Sequence, residues 1–173
     1  MAKIILYIAQ SLDGFIADEA GGVDWLNNYL RPDEDYGYND FYKSLGAVIV
    51  GAKTYEQSIG FRHWYTDKES YVFTTRSLPV PGGWHPIFCQ GDAGPLVQEL
   101  RKKPKDTWLV GGAAMVTHFL NRGLVDEIIL SVIPEIISKG IPLFQNIQRR
   151  YKLQLLHNRQ YKYGVSQLHY SFI

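Results

Sequence analysis

The sequence has few of the features that mark several large classes of protein. Its 173 residues contain one cysteine, Cys89, which excludes an intrachain disulfide and a cysteine-rich metal site. No segment approaches the ~20 consecutive apolar residues of a membrane-spanning helix, and the apolar run after Lys3 is too short for a secretory signal. The formal net charge of +1 argues against a nucleic-acid-binding surface. We therefore expect a cytoplasmic protein with neither a membrane nor a nucleic-acid partner.

Several short motifs of catalysis and nucleotide binding are absent as well. The chain has no GxGxxG, GxxxxGK[ST], HExxH or GxSxG. Five histidines lack the spacing of metal ligands, so we interpret them as surface or edge residues and expect no bound metal: His63, His85, His118, His157 and His169. Cys89 lies in an apolar run and is interpreted as a buried strand residue rather than a nucleophile.

The hydrophobic pattern predicts one α/β domain over residues 1–173. Apolar strands are predicted at 4–9, 47–50, 71–74, 87–89, 108–110 and 127–133, and helices at 53–58, 93–102 and 113–121. Continuous apolar runs such as AVIV are typical of strands buried on both faces of a parallel sheet. Residues 151–161 and 165–173 predict a C-terminal antiparallel hairpin. The polar segment 27–40 predicts a flexible loop over a cleft.

The segment 107–134 is the most informative part of the chain. An apolar strand runs directly into Gly111-Gly112, and a helical pattern follows. Bare backbone N–H groups at such a helix start, together with a partial charge of about +0.5, suit a phosphate, most plausibly the pyrophosphate of a dinucleotide. A tight turn without a ligand is an equally good interpretation of this segment alone.

Three other predicted strands also end in groups that suit an anion. Residues 11–17 follow the first strand, Lys53 and Thr54 follow Gly51, and residues 74–77 carry three hydroxyls and Arg76. Because the carboxyl ends of parallel strands meet at one edge of a sheet, these groups are expected to converge. Taken singly, Thr54 as a helix cap, Arg76 as a solvated charge and Asp13-Gly14 as a turn are the simpler interpretations.

The order of SLDGFIA, VGAKTYE, FTTRS and LVGGAAM closely resembles the dihydrofolate reductase fold. More narrowly, it resembles the reductase domain of the bifunctional riboflavin-biosynthesis deaminase–reductases and their small stand-alone bacterial relatives. The resemblance covers nearly the whole chain. It implies a three-layer fold with a mainly parallel sheet of about eight strands and helices on both faces. It also implies a homodimer packed through the late strands, with Ile133, Ile136 and Ile137 at the contact.

The resemblance implies NADPH as the cofactor, bound across the strand ends. By position, Ala9, Ile16 and Ala17 face the nicotinamide, and Gly51, Lys53 and Thr54 open a phosphate-binding helix. The adenosine 2′-phosphate is assigned to Thr74, Thr75, Arg76 and Ser77. The pyrophosphate is assigned to Gly111, Gly112, Ala113, Ala114, Met115 and Val116.

The function implied is an NADPH-dependent reductase that transfers a hydride to a small polar planar substrate, pterin-like or pyrimidine-like. Trp25 and Asp35 are the candidate substrate-binding residues. Asp40, then Asp24, are the candidate catalytic carboxylates, which would orient the substrate or relay a proton. Two alternatives remain: a module that binds NADPH without turnover, and a purely structural or interaction protein.

Overall fold

The computed structural model describes all 173 residues and contains ten strands and four helices. The first strands and helices are β1 (Ile4–Ser11), β2 (Phe15–Ala17), α1 (Tyr38–Ser44), β3 (Leu45–Gly51), α2 (Ala52–Phe61), β4 (Glu69–Phe73) and β5 (Pro86–Cys89). The remainder are α3 (Gly94–Leu100), β6 (Asp106–Gly111), α4 (Ala113–Asn121), β7 (Glu127–Ile133), β8 (Ile141–Pro142), β9 (Leu153–Gln160) and β10 (Ser166–Phe172). Short 3₁₀ turns lie at Asp24–Leu26 and Lys162–Gly164.

Eight strands form one sheet in the order β5-β4-β3-β6-β1-β7-β10-β9. Pairing is parallel from β5 to β7, whereas β10 runs antiparallel to both β7 and β9. The predicted α/β fold with about eight strands and a C-terminal hairpin is thus confirmed. The separate pair of β2 and β8 was not predicted, because strands of three and two residues are too short to show a hydrophobic period.

Helices cover both faces of the sheet, as predicted. α3 and α4 pack on one face, and α1 and α2 pack on the other over an aromatic cluster that includes Tyr55 and Trp108. β3 shows why its apolar run does not alternate: Ile49 enters the first cluster and Val48 the second. Both side chains are fully buried. No helix combines the length and the apolar character that crossing a bilayer requires.

The parallel register brings the carboxyl ends of four strands to one edge of the sheet. Gly51 at the end of β3 pairs with Phe73 of β4, which pairs with Cys89 of β5. On the other side of β3, Val50 pairs with Gly111 at the end of β6. The segments that follow these strands therefore face one crevice, where open α/β sheets bind their ligands.

The segment 27–40, predicted to be a flexible loop, is held by hydrogen bonds, and its last residues are helical. The Tyr36 hydroxyl donates to the Tyr29 carbonyl at 2.6 Å. The Asp35 carboxylate accepts the N–H groups of Gly37 and Asn39 at 3.0 and 3.1 Å, at the start of α1. The loop prediction holds for residues 27–37 and was wrong for residues 38–40, because α1 has only seven residues and its period is not visible in the sequence.

Two further predictions, on Cys89 and Ile133, were wrong about burial. Cys89 is only half-buried, because β5 is an edge strand, so its interpretation as a buried residue was wrong. At the other edge, every residue of β9 is exposed, including Leu155. Ile136 is 68% exposed, but Ile133 is only 4% exposed and belongs to the interior. Ile133 therefore cannot contribute to a dimer contact, and a homodimer remains a prediction.

Candidate functional site

A cleft of about 980 Å³ lies at the strand-end edge of the sheet. Its walls are β2 and the segment that follows it, the ends of β3 and β4, and the first turns of α2 and α4. This volume lies at the upper end of the ~300–1,000 Å³ range of small-molecule and cofactor sites. The cleft therefore has room for an extended ligand.

The middle of the cleft is built from two helix N-termini. Gly51 precedes α2 and Gly112 precedes α4, and neither helix start carries a side-chain cap. The first N–H groups of a helix have no intrahelical partner, so both helices present free donors to the cleft. The Gly112 N–H donates to Thr54 Oγ1 at 3.2 Å, which joins the two helix starts. Thr54 thus links α4 to α2 rather than capping its own helix.

Glycine is required at two of these strand ends for different reasons. Gly111 has a φ of +119°, and a Cβ there would lie 3.1 Å from Ile8 Cδ1. A Cβ on Gly51 would lie 2.7 Å from Met115 Cγ, closer than real Cβ atoms approach. The glycines therefore permit the left-handed backbone at the end of β6 and the close approach of α4 to β3.

One end of the cleft is a charged corner formed by Lys53, Glu56 and residues 74–76. Arg76 Nη1 and Nη2 donate to Glu56 Oε1 and Oε2 at 2.9 and 2.8 Å, a bidentate pair. The Arg76 hydrogen bond holds the pKa of Glu56 below its usual value. Thr74 Oγ1 accepts the Arg76 N–H at 2.9 Å, which fixes the turn after β4. Lys53 is exposed and has no ion-pair partner.

Another wall of the cleft is formed by β2 and the turn that follows it. The Asp18 carboxylate accepts the N–H of Gly22 at 2.7 Å and closes this turn. Gln57 Nε2 of α2 donates to the Gly21 carbonyl at 3.2 Å, which ties the turn to the far wall of the cleft. Gly140 lies so close to β2 that an added Cβ would be 2.1 Å from the Ala17 carbonyl oxygen.

The structure brings most of the predicted cofactor residues together in this cleft. Those on its walls are Ile16, Ala17, Gly51, Lys53, Thr54, Thr74, Thr75, Arg76, Gly112, Ala113, Ala114 and Met115. Four others are not on the walls: Ala9, Ser77, Gly111 and Val116. Val116 is fully buried in the core, so its assignment to a ligand was wrong. A helix start was correctly expected here, but the fourth residue of α4 already faces the sheet.

The predicted substrate and catalytic residues lie off the walls of the cleft. Asp24 and Asp40 are exposed, without the burial that a proton-relaying carboxylic acid needs. Asp35 is exposed and is occupied by the start of α1, whose N–H groups lower its pKa. Trp25 is half-buried, and its indole N–H is enclosed without a hydrogen-bond partner. These four assignments remain predictions.

Sequence reasoning missed several residues on the walls. Glu56 was detectable, because it follows Lys53 by three positions and so shares a face of α2. His118, interpreted as a surface or edge residue, is half-buried on the wall with its Nε2 unpartnered. Burial, assisted by Arg122, lowers its pKa. Gln57 and Gln145 gave no local signal. No group of three or more His, Cys, Asp or Glu side chains is placed to hold a metal ion.

A second polar group, which we call the Gln167 cluster, lies on the α1 side of β1, β7 and β10. It consists of Tyr7, Tyr36, Ser131 and Gln167. Gln167 Nε2 donates to Ser131 Oγ and to the Tyr36 carbonyl, both at 3.1 Å. Tyr7 stacks on Phe41 of α1 with ring centroids 4.5 Å apart, and burial raises the pKa of Tyr7 to about 12. The cluster fixes the segment before α1 against the sheet.

Solved structures place this architecture among the dihydrofolate reductase-like α/β proteins. Dihydrofolate reductase from Enterococcus faecalis, complexed with NADP(H), matches with a TM-score of 0.69 at 15% identity, over 98% of this chain and 96% of that one. A Shewanella sp. PV-4 protein provisionally assigned to riboflavin biosynthesis matches with a TM-score of 0.88 at 24% identity, over 99% of both chains.

Sequence comparison narrows the class to one family. The pattern of the RibD C-terminal domain matches residues 2–166, so the chain belongs to that family. Protein YwjB of Bacillus subtilis strain 168 is 39% identical over 171 residues, covering 97% of each chain. The resemblance drawn from the four motifs is thereby confirmed.

Proposed function

We propose that this protein is an NADPH-dependent reductase that transfers a hydride to a small polar planar acceptor, pterin-like or pyrimidine-like. Membership of the RibD C-terminal domain family supports a reductase. The observation that carries the proposal is the meeting of two uncapped helix N-termini at Gly51 and Gly112, beside a corner that holds Lys53 and Arg76.

The chemistry of the cleft fits a phosphorylated dinucleotide. Free N–H groups at the starts of α2 and α4 suit its two linking phosphates, because each helix start carries a charge of about +0.5. Lys53, Arg76 and the hydroxyls of Thr74 and Thr75 suit the additional phosphate of NADPH. Bound there, the reduced nicotinamide supplies the hydride, and the protein supplies orientation and exclusion of water.

Delivery of the proton is assigned to water. A carboxylic acid that donates a proton near neutral pH is normally buried in apolar surroundings. The carboxylates on the walls of the cleft are those of Glu19 and Glu56, and both are exposed. Asp24 and Asp40 are exposed outside the cleft. We therefore expect the hydride acceptor to take its proton from solvent.

The test is turnover with a panel of dihydropterins, dihydrofolate and aminopyrimidinones. NADPH deuterated at the nicotinamide C4 is incubated with the purified protein and each acceptor, and the masses of the products are measured by mass spectrometry. We expect enzyme-dependent transfer of one deuterium to at least one acceptor. Saturable NADPH binding without deuterium transfer to any of these classes would contradict the reductase and favour a module that binds NADPH without turnover. The binding module without turnover remains the second candidate because Asp24 and Asp40 are exposed outside the cleft, so the structure shows no buried carboxylic acid to deliver the proton.

A further inference from the structure

Arg76 is already occupied by a carboxylate of its own chain. Both terminal nitrogens of its guanidinium donate to the two oxygens of Glu56, so the Nη1/Nη2 edge, one of the two edges that can bind a phosphate bidentately, is used. Glu56 and Arg76 both lie on the wall of the cleft. A phosphate that binds Arg76 in the same forked way must displace Glu56.

The charges on the walls of the cleft also disfavour an additional phosphate. Its walls carry two carboxylates, Glu19 and Glu56, against two cations, Lys53 and Arg76. A phosphomonoester adds a charge of about −1.5 to −2 near neutral pH. Glu56 therefore opposes such a group twice, by repelling it and by holding the guanidinium. An unphosphorylated ribose hydroxyl meets neither obstacle.

We propose that Glu56 competes with the ribose 2′-phosphate of the dinucleotide for Arg76, and so limits the preference of the cleft for NADPH over NADH. The inference rests on the proposed function, because it assumes that a nicotinamide dinucleotide binds in this cleft. Glu56 is then a specificity-determining residue whose removal sharpens the preference.

The size of the competition follows from the exposure of the pair. Exposed ion pairs are weak and are screened by salt. Glu56 therefore reduces phosphate binding without abolishing it, and the wild-type protein binds NADPH only about 3- to 10-fold more tightly than NADH. Because NADH leaves the Glu56–Arg76 pair intact, its affinity does not depend on Glu56.

The experiment is calorimetric titration of NADPH and NADH into the wild type, E56Q, R76Q and the double variant, at low and at high salt. The matched control is E99Q. It removes the same charge from an exposed ion pair with Lys102, whose Nζ lies 2.6 Å from Glu99 Oε1 on α3, outside the cleft. Unfolding midpoints of all variants establish that each remains folded.

We expect E56Q to tighten NADPH about 5- to 20-fold at low salt and less at high salt, with NADH changed by less than about twofold. R76Q weakens NADPH, and the effect of Glu56 becomes smaller in its background because only direct repulsion remains. E99Q changes neither affinity.

Three results would overturn the inference. An E56Q protein with an unchanged NADPH-to-NADH ratio shows that Glu56 does not compete. An equal effect of E56Q with and without Arg76 shows that Glu56 acts by charge alone. Absence of binding of either dinucleotide to every variant overturns the proposed function as well, and is thereby distinguished from the first two results.

Discussion

The strand-end cleft and the Gln167 cluster are both polar, but they are built in different ways. In the cleft, the donors we assign to phosphate are main-chain N–H groups at the starts of α2 and α4, and the flanking glycines leave them open. In the Gln167 cluster, side chains satisfy one another: Gln167 bonds Ser131, 36 residues away, and the Tyr36 carbonyl, 131 residues away.

The comparison teaches that an open site and a closed one leave different traces in a sequence. A strand, a glycine and a helix start follow one another within a few residues, so the cleft can be predicted locally. The Gln167 cluster depends on pairing across β7 and β10, which no local pattern reveals. Its donors are used internally, so we assign it to stability and the cleft to binding.

Ala114→Asp should weaken NADPH binding in the cleft and leave the Gln167 cluster unchanged. Ala114 is exposed in the first turn of α4, on the wall of the cleft. An acidic residue is favourable at a helix N-terminus, but it repels a phosphate there, so we expect NADPH affinity to fall by about 30-fold or more with stability retained. Calorimetric titration and thermal unfolding measure the two quantities.

The neutral variant Ala114→Asn is the matched control for this change. It has nearly the same size and should reduce NADPH affinity by less than about threefold, because it adds no charge. Equal losses with Asp and Asn would mean that shape, rather than the field of the helix start, governs binding.

Gln167→Leu should lower the stability of the protein through the Gln167 cluster and leave NADPH binding in the cleft unchanged. It removes the hydrogen bonds to Ser131 and to the Tyr36 carbonyl, and Ser131 is buried. We expect a loss of about 1–3 kcal/mol in the free energy of unfolding, because buried polar groups lose their partner. Denaturant unfolding measures this loss. A matching loss of NADPH affinity in the folded protein would join two regions that we treat as separate.

Glu127→Gln tests how pH changes the stability of β7 and β10, the strands that carry Glu127 and His169. Burial alone raises the pKa of Glu127, but hydrogen bonds from Lys3 and His169 outweigh it and leave the pKa below its usual value. The unfolded chain then takes up the proton first as the pH falls. The stabilisation is therefore complete above the unfolded pKa of about 4.3 and is lost as the pH falls from there through the lower folded pKa.

The free energy of unfolding of wild type and Glu127→Gln, measured between neutral and acidic pH, checks this expectation. Their difference should be largest at neutral pH and should shrink as the pH falls through the acidic range. A difference that grows in acid would contradict the sign of the shift.

Thr54→Val tests whether the link between the two helix starts serves stability or NADPH binding. It removes the acceptor of the Gly112 N–H at nearly constant size. The lost hydrogen bond should cost about 1 kcal/mol of stability. The freed N–H can then bond a ligand, so NADPH affinity should change by less than about threefold. Thr54→Ser, which keeps the hydroxyl, should match the wild type in both denaturant unfolding and titration.

Asp24→Asn and Asp40→Asn should have the smallest effect. Because both residues are exposed and off the walls of the cleft, we expect turnover and NADPH affinity to remain within about twofold of the wild type. A selective loss of turnover in either variant, at unchanged NADPH affinity, would restore that carboxylate as the proton relay.

The residues that could be predicted are those whose role is indicated by the residues next to them in the sequence. Gly51, Gly112 and Arg76 follow apolar strands directly, and the parallel register then brings them to one edge. Val116 was misassigned because the sequence does not show at which residue a helix turns from ligand to core. The occupation of Arg76 by Glu56 depends on how the turn after β4 meets α2, which only the folded structure shows.

The most direct test of this account is an amide NMR titration of the isotopically labelled protein with NADPH. We predict saturable shifts at the N–H groups of Ala52–Thr54 and Ala113–Met115, with little change at Ser131 and Gln167. Shifts centred on the Gln167 cluster, or no saturable shift at either helix start, would contradict the assignment of the cleft as the dinucleotide site.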